Sequence, residues 1–247
     1  MNRRKVFIFT AIFSLATVSI FGFSIKEKKN YDGFISYIVD PKKQDLKLYW
    51  KDEKQQNFRS ILNLKTWLEK KNKQLVFAMN AGMYKEDNSP LGLFIEDKKT
   101  ISPLNTKDAN GNFYLKPNGV FYITTDSTPV ICNSTNFINN GKIKYATQSG
   151  PMLVIDGKIH SAFKEDSKNL NIRNGVGILP GNKILFAMSK TGVNLYDFAY
   201  YFKEMGCKNA LYLDGFVSRT YLPEQNCLQT DGNFGVIIGV TINVSEK

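Results

Sequence analysis

One histidine, His160, and three cysteines, Cys132, Cys207 and Cys227, are all that this 247-residue chain has of either type. A single imidazole excludes a zinc site built from several histidines, and a serine or cysteine nucleophile activated by histidine would have to work through His160 alone. Its place at the end of the IDGKIH hairpin favours a partly exposed strand-end residue instead. The cysteines form no CxxC and are too few for a disulfide framework. A Cys207–Cys227 bridge is the easiest loop to close, the alternative being small buried hydrophobes with at least one free thiol. There is no P-loop and no GxGxxG after a strand, which removes the standard phosphate-cradling loops.

Basic residues are in excess. The formal charge is +11, and setting aside Arg3, Arg4 and Lys5 leaves +8 on the rest. Such a balance steers anionic partners, but the lysines are spread along the chain with no nucleic-acid motif among them, so no nucleic-acid partner is expected. Residues 1–25 join a basic start, MNRRK, to the apolar run VFIFTAIFSLATVSIFGFSI, about the length that crosses a bilayer. They read as a signal peptide or a retained anchor, with the basic end cytoplasmic and the remainder exported to a periplasmic or other extracytoplasmic space. Membrane contact is then limited to this segment if it stays uncleaved. Residues 26–33 read as a linker, and 34–247, with 43% hydrophobic residues overall, as one domain with a sizeable core.

Within 34–247 the pattern is α+β, with mixed or antiparallel sheets made of hairpins and two main helices, about 58–72 and 195–206. FISYIV (34–39) and LKLYW (46–50) read as a first strand pair. In the first helix Ile61, Leu62, Leu64, Trp67 and Leu68 recur at near-helical spacing, with Asn57 as cap. In the second, Asn194 caps, Asp197 falls three residues later, and Gly206 terminates. Hairpins are predicted around Asp97, Asp126, Gly157 and Gly181. Trp67 to Asn80 and Tyr201 to Asp214 repeat one helix, strand and polar-residue order, and PNGVFYI matches RNGVGIL. Two halves related by a pseudo-twofold axis, or chance convergence of common patterns, both account for this.

The chemistry concentrates in NALYLDGFVSRTY (209–221), where an apolar strand stops at Asp214 and Gly215. An acid at a strand end is well placed to line a pocket. LVFAM (75–79) ends in the same way at Asn80, and the two NGV segments follow Pro117 and Arg173, read here as leading into turns. Arginine for bidentate oxygen contacts, asparagine for orientation and glycines for close backbone approach form a constellation for a phosphate-bearing or polyhydroxyl ligand. With histidine scarce, catalysis falls to carboxylates, hydroxyls and arginine, the means of glycosyl transfer or hydrolysis. Asp214 leads. Glu86 and Asp87 are second acids with a solvated loop as the simpler reading, Asp197 caps its helix, and Asp156 belongs to a hairpin turn.

NAGMY (80–84), KPNGVF (116–121), ATQSGPMLV (146–154), IRNGVGI (172–178) and LYLDGFVS (211–218), in this order, resemble the phosphodiester glycosidase family, in its bacterial exported branch. The family includes the mannose 6-phosphate uncovering enzyme, and the resemblance covers roughly residues 75–242. It implies a site with Asp214, Arg173 and Asn80 as catalytic residues and Gly82, Ser149, Gly150, Gly215 and Ser218 as substrate-binding residues, without a metal; it leaves the cofactor unknown. Where many members read Asp-Gly-Gly-Gly-Ser, this chain has Phe216 and Val217 in place of two glycines, which sets its substrate apart. The expected activity is hydrolysis of a sugar-1-phosphodiester in an envelope glycan or glycoconjugate. A non-catalytic envelope module that binds an anionic glycan is the alternative.

Overall fold

The computed structural model describes residues 31–214 and 217–244. The segment read as a signal peptide or anchor, residues 1–25, lies outside the described residues, as does Gly215. No helix among the described residues is long and apolar enough to cross a membrane. In chain order the elements begin with β1 (Phe34–Val39), β2 (Asp45–Tyr49), α1 (Ile61–Glu69) and β3 (Lys73–Asn80). The hairpins β4 (Phe94–Glu96) with β5 (Lys99–Ser102) and β6 (Gly119–Thr124) with β7 (Pro129–Asn133) follow, then β8 (Ile143–Ser149). Next come β9 (Met152–Ile155) with β10 (Lys158–Ile159), and β11 (Asn174–Leu179) with β12 (Lys183–Ser189). The chain continues through α2 (Leu195–Glu204), β13 (Asn209–Tyr212), β14 (Thr220–Leu222), β15 (Cys227–Leu228) and β16 (Ile237–Asn243).

Local chemistry explains most boundaries. Asn194 caps α2, its Oδ1 accepting from the Asp197 N–H at 2.8 Å, and Gly206 follows the helix at φ 87, a left-handed position that suits glycine. The turns of β4–β5 and β9–β10 place Asp97, Lys98, Asp156 and Gly157 at positive φ, the geometry of tight hairpins. α1 is shorter than the sequence predicts. Arg59 adopts φ 60, which breaks helical continuity, so Ser60 is the cap in place of Asn57, its Oγ accepting from the Asn63 N–H. The two NGV segments are not turns. Gly119 and Gly175 are each paired within a ladder, the first and second residues of β6 and β11 respectively.

The described strands form three antiparallel sheets, so with two helices the fold is α+β and mostly strand. The first has the order β1-β12-β11-β13-β9-β10, the second β15-β14-β3-β16-β2, and the third β5-β4-β8-β6-β7. β1 and β2 are not partners. β1 runs against β12 over six residues, with Phe34 stacked 4.1 Å from Tyr201 of α2, while β2 runs against β16. Each thereby pairs along its length with a strand distant in sequence.

The core lies where the sheets meet: Phe77 of β3 and Phe121 of β6 both pack on Phe186 of β12, at 5.4 and 6.0 Å between ring centroids. α1 covers the second sheet through Ile61, Leu64 and Leu68. α2 covers the first through Phe198, Ala199, Tyr201 and Phe202. Gly177 permits this approach, since a Cβ there would stand 2.5 Å from Cys207 Sγ and 2.7 Å from Phe202. The three cysteines are free thiols, with no Cys207–Cys227 bridge, and burial raises the Cys207 thiol to about 12.

Candidate functional site

Two strand ends from different sheets are tied together at one place. β3 ends in Asn80, β13 runs on through Leu213 to Asp214, and Asn174 at the start of β11 lies between them, fully buried. Its Nδ2 donates to the Asn80 carbonyl at 2.9 Å and to Asn80 Oδ1 at 3.0 Å, and its Oδ1 accepts from the Asp214 N–H at 3.0 Å. Asn80 in turn holds the loop beyond Asp214. Its Nδ2 donates to the Val217 carbonyl at 2.6 Å and its Oδ1 accepts from the Arg219 N–H at 2.9 Å. Ser218 Oγ is within donating distance of the carbonyls of Asp214, 3.0 Å, and Ile172, 3.2 Å. Asn80, Asp214 and Ser218 are thus brought together, with Asn80 and Ser218 engaged by the backbone around the acid.

Asp214 is 5% exposed and lines a cleft of about 600 Å³ with Met83, Tyr84, Leu91, Val217 and Asn88. Burial, and then the Asp214 charge, push the Tyr84 hydroxyl up to about 12, so it stays protonated and donates to the Asn233 carbonyl at 2.9 Å. Glu86 is on the rim and exposed. Asp87 is exposed too, its Oδ1 accepting from the Ser89 N–H and Oγ at 2.9 and 2.6 Å.

Arg173 is held by the protein's own oxygens. It is 1% exposed, with Nε donating to Val193 O at 2.7 Å, Nη1 to the Tyr212 hydroxyl at 3.0 Å and Nη2 to Asn169 O at 2.8 Å. All three acceptors are neutral, and Arg173 forms no ion pair among the described residues. It lines a second cleft of about 270 Å³ together with Lys164, Phe163 and Tyr196. Tyr212 stands against the guanidinium, with Asp214 two residues on.

The remaining expected ligand contacts are turned into the protein. Ser149 is buried and its Oγ donates to Leu213 O at 2.6 Å. A Cβ on Gly82 would come within 2.5 Å of Gln148 O, and one on Gly150 within 2.6 Å of Asn118 Cβ, so both glycines let protein segments cross closely. His160 is buried rather than partly exposed. Its Nδ1 accepts from the Ala162 N–H at 3.1 Å, which leaves Nε2 as the donor to Lys116 O at 3.0 Å, and its ring stacks on Phe163. Burial lowers its pKa.

Sequence reasoning passed over Asn174, Asn88 and Tyr84. For Asn174 a signal existed in the paired NGV segments, because Asn118, the matching residue, is also buried and bonded, donating to Phe113 O at 2.9 Å.

The model of the phosphodiester glycosidase family matches residues 73–240. The uncharacterized protein YigE of Escherichia coli (strain K12) is 35% identical over 188 residues, 76% of this chain and 73% of its own. Among solved structures, the catalytic domain of zebrafish N-acetylglucosamine-1-phosphodiester alpha-N-acetylglucosaminidase, auto-inhibited by its pro-peptide, matches with a TM-score of 0.60 at 14% identity, over 86% of this chain and 84% of that one. A candidate exported protein of Burkholderia pseudomallei K96243 matches with a TM-score of 0.53 at 9% identity, over 84% of this chain and 73% of its own. At these identities the two solved structures speak for the fold.

Proposed function

Because the chain belongs to the phosphodiester glycosidase family, a family of hydrolases, we propose that it hydrolyses a sugar-1-phosphodiester of an envelope glycan or glycoconjugate. The observation that carries this reading is Asp214, a carboxylate at a strand end, almost wholly buried at the wall of an open cleft and braced by Asn174 from a neighbouring strand. In the reaction, water forms a bond to the anomeric carbon while the bond from that carbon to the phosphate oxygen breaks, and the electron pair leaves with the phosphomonoester. Asp214 acts on the sugar side, taking the proton of the attacking water or facing the positive charge that develops on the ring. The leaving phosphate is already anionic and needs no strong acid.

Asn80 and Ser218 serve this step by position. Their hydrogen bonds hold the backbone at Asp214 and just beyond it, the condition for a carboxylate kept in one orientation. Arg173 supplies counter-charge for the phosphodiester. A buried guanidinium bonded to neutral oxygens without an ion pair is electrostatically incomplete, and an anion completes it. Export rests on the composition of residues 1–25, a basic start and a long apolar run.

The deciding experiment measures cleavage and binding of a panel of defined sugar-1-phosphodiesters by wild type and Asp214→Asn. Wild type is expected to cleave at least one, and Asp214→Asn to bind it with similar affinity and lose turnover by at least about 10³-fold. Binding by wild type across the panel without any cleavage would make the protein an anionic-glycan binding module instead.

A further inference from the structure

On the reading that the Asp214 cleft holds the sugar of a glycosyl phosphodiester, we infer that Asn88 selects which sugar enters, by hydrogen-bonding one uncharged substituent of its ring. The loop that carries it is a closed turn. The Lys85 N–H donates to Ser89 O and the Asn88 N–H to Lys85 O, both at 2.8 Å, and Tyr84 bridges to Pro90 across the neck. The Asn88 carbonyl is fixed by the Trp50 indole N–H at 2.9 Å. The side chain has no such anchor. Asn88 is 3% exposed, lines the cleft beside Asp214, and its Nδ2 meets no acceptor among the described residues.

The turn does not by itself require asparagine. At φ 63 the residue is in the left-handed region, which glycine occupies without strain. Asparagine tolerates the same conformation but buries an amide whose donors find no partner, at a cost to folding that glycine avoids. A ligand offsets that cost. Much of the cleft wall is apolar, made by Met83, Leu91, Val217 and the Tyr84 ring, and a few polar groups set in such a wall are how a pocket orients what it binds. A carboxamide is uncharged and both donates and accepts, so it suits a hydroxyl or an amide substituent of the sugar. A site built to bond such a group discriminates against the analogue that lacks it.

The test uses glycosyl phosphodiesters in which each ring substituent in turn is replaced by hydrogen, assayed with wild type and Asn88→Gly. Glycine keeps the turn, so the thermal midpoint is expected to stay within about 3 °C. Wild type should lose about 10- to 100-fold in kcat/KM at one ring position, carried by KM. Asn88→Gly should show that loss already with the parent substrate and no further loss at that position. Asn88→Asp, which keeps the turn and the shape but not the donors, should behave likewise and serves if the glycine variant does not fold. A flat wild-type profile, or the same penalty in wild type and variant, overturns the assignment. If wild type cleaves none of the series, the glycosidase reading has failed, and calorimetric binding of the same compounds judges Asn88 by the same comparison; no binding at all overturns it too.

Discussion

Replacing Asn174 by alanine removes the three hydrogen bonds that join β3, β11 and the Asp214 backbone. The loss can be worked bond by bond. Asn80 Oδ1 keeps the Arg219 N–H as a donor, so that oxygen is not stranded. The Asp214 N–H, in the interior, loses the acceptor the Asn174 side chain gave it. Net hydrogen bonds contribute about 0.5–1.5 kcal/mol each, and a stranded buried donor costs about 1–3 kcal/mol, so Asn174→Ala should destabilise by about 3–4 kcal/mol. With an m-value of about 2 kcal/mol/M, the urea midpoint falls by about 1.5–2 M. Turnover should fall with it, because the carboxylate loses the brace on its own backbone.

Asn118→Ala is the matched control. Asn118 is equally buried and follows its own proline in the other NGV segment, but bonds Phe113 O and Ser134 Oγ, away from the acid. It should lose comparable stability, about 2–3 kcal/mol, with turnover per folded molecule unchanged. A loss under about 1 kcal/mol in Asn174→Ala, or full turnover in that variant, would refute the claim that this amide holds the site together.

Two further outcomes bear on the same picture. Burial, with help from the Asp97 charge, raises the Glu96 carboxyl from 4.5 to about 7. Its folded pKa lies above its unfolded one, so its contribution to stability is complete below pH ~4.5 and is lost as pH rises through ~7; after discounting for partial exposure, the loss is about 1–2 kcal/mol. Urea midpoints at pH 5 and pH 8.5 should differ by that much less in Glu96→Gln than in wild type, and an unchanged difference would show that Glu96 is not the group responsible. Ser149→Ala should lose about 1 kcal/mol, since among the described residues its Oγ bonds Leu213 O alone, while kcat/KM for any cleaved phosphodiester stays within about twofold. A drop beyond about tenfold would mean that Ser149 touches substrate.

What the sequence revealed and what it hid divide along the range of the interactions. The cap at Asn194, the stop at Gly206 and the hairpins at Asp97 and Asp156 are decided by residues within a few positions of each other, and they are where the sequence places them. The ends of β3 and β13 at polar residues are likewise legible, because an apolar run stopping at Asn80 or Asp214 needs no partner to be seen. Strand partnership is different. β1 and β2 are joined by a short connection, yet β1 pairs with a strand some 150 residues away, and nothing local encodes that choice. Nothing local marks out Asn88, because only the cleft wall around it shows its amide to be buried.

Strand geometry relates Arg173 to Asp214, and it bears on mechanism. Successive side chains of an extended segment point to opposite faces. Asn174 is the residue whose side chain reaches Asn80 and Asp214, so Arg173 immediately before it must face the other way, where it meets Tyr212. The same alternation runs along the partner segment, where Tyr212 faces the arginine. Asp214, two residues on from Tyr212, falls on that same face by the alternation, so this pair of extended segments carries a cation and an acid on one side. A phosphodiester has this polarity, an anionic phosphate joined to a neutral ring that turns cationic as its bond breaks.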